Sequence, residues 1–150
     1  DLKITPVSRD PQDGGTPEYF QEKILGDEPF ASSIQPYPTN TTASLQKVAK
    51  TSGAIGYATA SEVCNQQIIR SLPIAKDTSQ PFVASCNGRQ VNQTDFAKDI
   101  YPITRRLFII LKRDGKLDEQ GGVAYVNLLL SDEGQKLVNQ VGLVSIRNIP

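Results

Sequence analysis

The chain of 150 residues contains no histidine. That absence removes Ser-His and Cys-His nucleophilic machinery, histidine metal sites and the commonest general base. Cysteine is almost as scarce. Cys64 and Cys86 are the only two, too few to build a structural zinc site unaided. No charge of one sign dominates: 16 basic and 16 acidic residues cancel, so nothing favours nucleic acid or an acidic membrane surface as a partner. Aromatics make up 7% of the residues, and they form no stripe interleaved with basic side chains. Long hydrophobic runs are missing too. The longest, such as Leu107 to Leu111 and Val126 to Leu130, are far too short to span a bilayer. There is no signal peptide, and the chain begins with Asp1 rather than Met, which reads as a mature or excised segment that has lost its targeting record.

What is there suits one domain able to bury a real core. Cys64 and Cys86 lie in polar, loop-like surroundings rather than on an apolar face, so a disulfide is expected in preference to two buried thiols. Closing a loop of that length would stabilise the fold by about 3 kcal/mol in the chain-entropy picture, and it implies an oxidising compartment.

The most informative stretch runs from Pro6 to Phe20. Leu2 to Val7 carries the chain like a strand into a polar turn that holds Arg9 and the pair Gly14-Gly15. A helix then opens, with Thr16 as N-cap, Pro17 at the first helical position and Glu18 in the first turn. A helix start offers unpaired N–H groups and the positive end of a dipole. Glycine lets an anion approach that backbone, and arginine adds a bidentate clamp. The arrangement suits a small oxyanion, although the same pattern also occurs in ordinary strand–turn–helix junctions. For Arg9 the competing reading is a surface salt bridge with Asp10 or Asp13.

Further along, residues 27–38 lose apolar periodicity and read as a loop. Asn40-Thr41-Thr42 starts a helix with Ala43, Leu45, Val48 and Ala49 on one face, and Gly53 ends it. Ala54 to Ala58 reads as a strand, Ser61 to Cys64 as a helical turn, and Ile68 to Ala75 as a strand weakened by Pro73. Lys76 to Gln93 is irregular, Thr94 to Lys98 a short helix. Leu107 to Leu111, apolar on both faces, reads as a central covered strand. Asp118 to Leu130 and Asp132 to Val141 read as helices, the second capped by Ser131, and Val144 to Ile146 as a final strand. Strands separated by helices make the class α/β, with helices covering a mixed sheet.

Several segments together resemble one family. They are Ser8-Arg9 leading to Gly14-Gly15-Thr16 with Phe20, Gly53-Ala54-Ile55-Gly56-Tyr57, and Tyr101-Pro102-Ile103-Thr104-Arg105-Arg106-Leu107, followed by Leu128 to Lys136 and Gly142-Leu143-Val144. Their order and spacing are similar to those of the periplasmic phosphate-binding proteins of phosphate ABC transporters. The likeness covers about the second half of such a two-lobed clamp. It implies a three-layer α/β/α lobe of the type II periplasmic-binding-protein fold, comprising the second lobe and the C-terminal return segment in residues 1–150.

The resemblance also implies a function: non-catalytic, extracytoplasmic binding of inorganic phosphate or a similar oxyanion, without metal or cofactor, for delivery to an ABC transporter permease. The ligand groups would come from Ser8, Arg9, Asp13, Gly14, Gly15 and Thr16. Gly14 stands where the family usually has serine, and the loop is one residue longer, so either Asp10 or Asp13 matches the family carboxylate that accepts the phosphate proton. Arg105 and Arg106 are read as structural or interface residues. The partner first lobe of the same fold has no counterpart here, so uncovered edges make a homodimer an expectation. An alternative role is an extracytoplasmic sensory or protein-interaction domain derived from this fold. A phosphate-ester hydrolase is the least supported, given no histidine, no metal cluster and no Gly-x-Ser-x-Gly elbow.

Overall fold

A computed structural model describes residues 3–147. The chain divides into two units, Asp1–Arg70 and Ser71–Pro150. In the first, strand β1 (Thr5–Val7) leads through a polar loop into helix α1 (Gly15–Ile24). A 3-10 turn (Ser32–Ile34), helix α2 (Thr41–Lys50), strand β2 (Ala54–Gly56) and a short helix α3 (Ala60–Val63) follow. β1 and β2 pair in parallel, with Thr5 opposite Ala54 and Val7 opposite Gly56. Parallel neighbours need a long crossover, and α1 with α2 supplies it.

Local chemistry explains the element ends. α2 starts where Asn40 Oδ1 accepts the Ala43 N–H at 2.8 Å, an N-cap that satisfies one orphan donor of the first turn. After α2 the chain turns through Gly53, whose φ of 72° and close approach to the Lys3 carbonyl exclude any side chain. A Cβ at Gly56 would stand 3.1 Å from both Val48 Cγ2 and the Val7 carbonyl, so glycine lets α2 lie against the strand pair. Val7 and Ile34 are buried there.

The second unit holds an antiparallel hairpin, β3 (Cys86–Asn87) with β4 (Gln90–Val91), turning through Gly88 at φ 62°. Helices α4 (Gln93–Ala97), α5 (Leu117–Leu130) and α6 (Asp132–Gln140) complete it. Ser131 Oγ accepts the Gly134 N–H at 3.1 Å, the expected cap of α6. A Cβ at Gly134 would lie 2.7 Å from Leu129 Cα, so the α5–α6 corner closes only over glycine. α5 runs through Gly121-Gly122 unbroken, and Leu111 Cδ2 sits where a Gly122 side chain would begin. Cys64 and Cys86 form the expected disulfide.

Several expected elements differ. α1 begins earlier than expected, so Gly14 takes the cap position, with Thr16 and Pro17 already inside the first turn. Proline is tolerated there because first-turn N–H groups lack helical acceptors in any case. The expected strand from Leu2 shortens to Thr5–Val7, and Leu2 lies outside the described residues. Ile68 to Ala75 contributes a single bridge, Ile74 to Val83. Val144 to Ile146 forms no strand.

The largest difference is Leu107 to Leu111. It is not a strand, and Phe108 and Ile110 are 82% and 93% exposed. A strand exists only through bonds to a neighbour, and among the described residues this run has no ladder partner. The sheets among the described residues have two strands each, in a mixed helix and strand chain. Total accessible surface is 11001 Å2, whereas even two separate compact bodies sharing this mass would expose about 9,000 Å2. Much apolar surface is therefore left open, including Leu117, Tyr125 and Leu128 of α5.

Candidate functional site

The residues singled out in the Ser8–Thr16 stretch sit on the loop that joins β1 to the start of α1. Ser8 follows the last strand residue and is 3% exposed. Its Oγ donates to the Arg9 carbonyl at 2.8 Å. Asp10 then turns the chain: its Oδ1 accepts the Gln12 N–H at 2.9 Å, and its carbonyl accepts the Asp13 N–H at 2.9 Å. This side-chain-for-backbone turn is what aspartate favours in a loop.

The turn brings Arg9 back over the loop. The guanidinium donates through Nη2 to the Asp13 carbonyl, next to Gly14. Its Nε is buried without a hydrogen-bond partner among the described residues. No ion pair joins Arg9 to Asp10 or Asp13 there, so the salt-bridge alternative for Arg9 is not what the structure contains. Gly14, at φ 116°, delivers the chain into α1 in a conformation that L side chains rarely adopt. The helix start at Gly15 and Thr16 carries the positive end of the α1 dipole. One loop thus gathers Arg9, Asp13, Gly14, Gly15 and Thr16, with Ser8 behind its entry.

Sequence reasoning missed the aromatic side of this loop. Tyr57, just after β2, reaches Ser8 with an Oη–Oγ distance of 2.5 Å. Its ring stacks on Phe20 of α1, centroids 3.9 Å apart and planes at 1°, with Phe30 beside both at 6.3 and 6.5 Å. Burial pushes the Tyr57 phenol above its ordinary range, while the Ser8 hydrogen bond and the Arg9 charge pull the other way. The signal available was Tyr57 closing the Gly53–Tyr57 motif, read only as part of a resemblance.

Among the described residues no three His, Cys, Asp or Glu side chains are placed to hold a metal. A shallow groove of 440 Å3 runs along α5 past Lys116, Glu119, Val123 and Asn127, and it includes no residue of the Ser8–Thr16 loop. Arg105 and Arg106 are exposed in the second unit. No helix among the described residues is long and apolar enough to cross a membrane.

The chain matches no curated protein and no solved structure. The family model described as the PBP superfamily domain matches residues 1–133, which takes in β1, the whole Ser8–Thr16 loop, α1, the Tyr57 stack and the disulfide. With so much of its length covered, this chain belongs to the periplasmic-binding-protein superfamily, a family of solute-binding domains.

Proposed function

We propose that the chain binds inorganic phosphate or a similar oxyanion without transforming it, as part of a solute-binding protein serving ABC-type phosphate transport. The observation that carries this reading is the Arg9 guanidinium, folded over the loop onto the Asp13 carbonyl with its Nε buried and unpaired, beside the α1 start. Charge-assisted hydrogen bonds from Arg9 and from the Gly14, Gly15 and Thr16 backbone supply the affinity. Ser8 belongs to the loop wall. Asp13 accepts the proton of a protonated oxyanion and so disfavours fully deprotonated ones.

The oxidised Cys64–Cys86 pair supports an extracytoplasmic location. In this reading residues 1–150 are the second lobe and return segment of a three-layer α/β/α clamp. The open apolar surface around Phe108 and Ile110 is ground for the complementary first lobe, and the loaded protein presents its ligand to a permease. The same exposed run also favours a second reading, an extracytoplasmic sensory or protein-interaction domain built on this fold.

Titration calorimetry with phosphate at low ionic strength tests the proposal. A half-clamp open to solvent is expected to bind with a dissociation constant on the order of millimolar, weakened further by salt and lost in Arg9→Gln. No heat at any phosphate concentration overturns the oxyanion function. Micromolar binding by the monomer overturns the need for a first lobe. Turnover of a generic phosphomonoester well above blank overturns the non-catalytic reading.

A further inference from the structure

We propose that Tyr57 is the positioning residue of the Ser8–Thr16 loop, a reading that rests on the oxyanion function above. The loop has two anchors, and Tyr57 holds both. At the entry, Tyr57 Oη lies 2.5 Å from Ser8 Oγ. Ser8 has one hydroxyl proton, and Oγ gives it to the Arg9 carbonyl at 2.8 Å. A carbonyl oxygen can only accept, so the donor in the Tyr57–Ser8 pair is Tyr57. At the exit, the Tyr57 ring lies flat on Phe20 of α1, the helix whose start closes the loop.

The proton order has a consequence for the ligand groups. Ser8, with its proton committed, fixes the Arg9 peptide from behind and does not itself donate to an anion. The direction of that peptide sets where the Arg9 side chain leaves the backbone, and so where its guanidinium crosses to the Asp13 carbonyl. Phenylalanine at 57 would keep the ring stack. Only the hydroxyl completes the chain Tyr57 to Ser8 to Arg9, and Ser8, at 3% exposure, has little access to a replacement water.

The test compares Tyr57→Phe with Ser8→Ala, the double variant and the native chain. Without ligand, amide hydrogen exchange of residues 9–16 is expected to speed up several-fold in Tyr57→Phe, with β1, β2 and α2 unchanged. Phosphate affinity by calorimetry is expected to fall about tenfold, roughly 1.4 kcal/mol, and adding Tyr57→Phe to Ser8→Ala to cost nothing further. Native exchange in the loop of Tyr57→Phe overturns the proposal. So does exchange raised equally across the unit, which marks a merely structural side chain, or independent, multiplying losses in the double variant. Should the native chain fail to bind phosphate, the oxyanion function falls and the exchange comparison alone decides the role of Tyr57.

Discussion

Gln135 holds Ile146 in place from inside α6: its Oε1 accepts the Ile146 N–H at 2.8 Å. The other end of the same amide donates to the Leu129 carbonyl at 2.7 Å, and the residue is 4% exposed. One side chain therefore satisfies two backbone groups, one at the end of α5 and one in the segment after α6. Gln135→Leu preserves approximate volume but leaves both groups unpaired. Denaturant unfolding should show a loss of about 1–3 kcal/mol, whereas an unchanged midpoint would mean that water reaches both groups.

The disulfide closes a loop between Cys64 and Cys86. Constraining the unfolded chain in this way stabilises the fold by about 3 kcal/mol. Alkylation without reductant should leave both cysteines unmodified by mass. Reduction, or Cys86→Ser with Cys64→Ser, should lower the thermal midpoint. Two thiols alkylated freely in the native chain would remove the argument for an oxidising compartment.

Alkaline pH should act through Tyr57 and Tyr101. Burial raises both phenols above the ordinary tyrosine value of 10.0; the side-chain hydrogen bond shared with Ser8 opposes the rise at Tyr57 and the one shared with Ser85 opposes it at Tyr101. A raised folded pKa means that the folded state holds the proton more tightly than the unfolded chain. Their contribution to stability is thus fully present below the unfolded value and is lost as pH rises through the folded values. Phenolate absorbance should show two of the five tyrosines ionising late, and stability should decline in that same window. In Tyr57→Phe one late transition should vanish.

Exposed apolar surface predicts association. Phe108 and Ile110 are exposed on an apolar run with no strand partner among the described residues, and unpaired apolar segments of high strand propensity invite pairing. Sedimentation should show concentration-dependent association of the isolated chain, reduced in Ile110→Lys. Monomer alone at high concentration would show that this run is covered in solution by the chain itself.

Much of the local structure was written in the sequence. Asn40 and Ser131 cap their helices because short polar side chains reach the N–H groups of the first turn. Gly53 marks a helix end because positive φ costs glycine little. The loop from Ser8 to Thr16 was legible as a strand–turn–helix junction, and Arg9, Gly14 and Gly15 were found in it. The disulfide followed from two cysteines in polar surroundings.

Tertiary structure decided the rest. The cap of α1 moved to Gly14 because helix start depends on backbone geometry at the turn, not only on which side chain could cap. Tyr57 joined the candidate site because parallel pairing of β1 with β2 sets Val7 opposite Gly56, carrying the next residues of both strands, Ser8 and Tyr57, to hydrogen-bonding distance. No spacing along the chain encodes that meeting. Leu107 to Leu111 is the sharpest case: its apolar pattern is the same whether it is a buried strand or an unpaired one. Helix hydrogen bonds close within a segment and can be read from it, but a strand takes its bonds from a neighbour, and only the folded chain decides whether that neighbour is there.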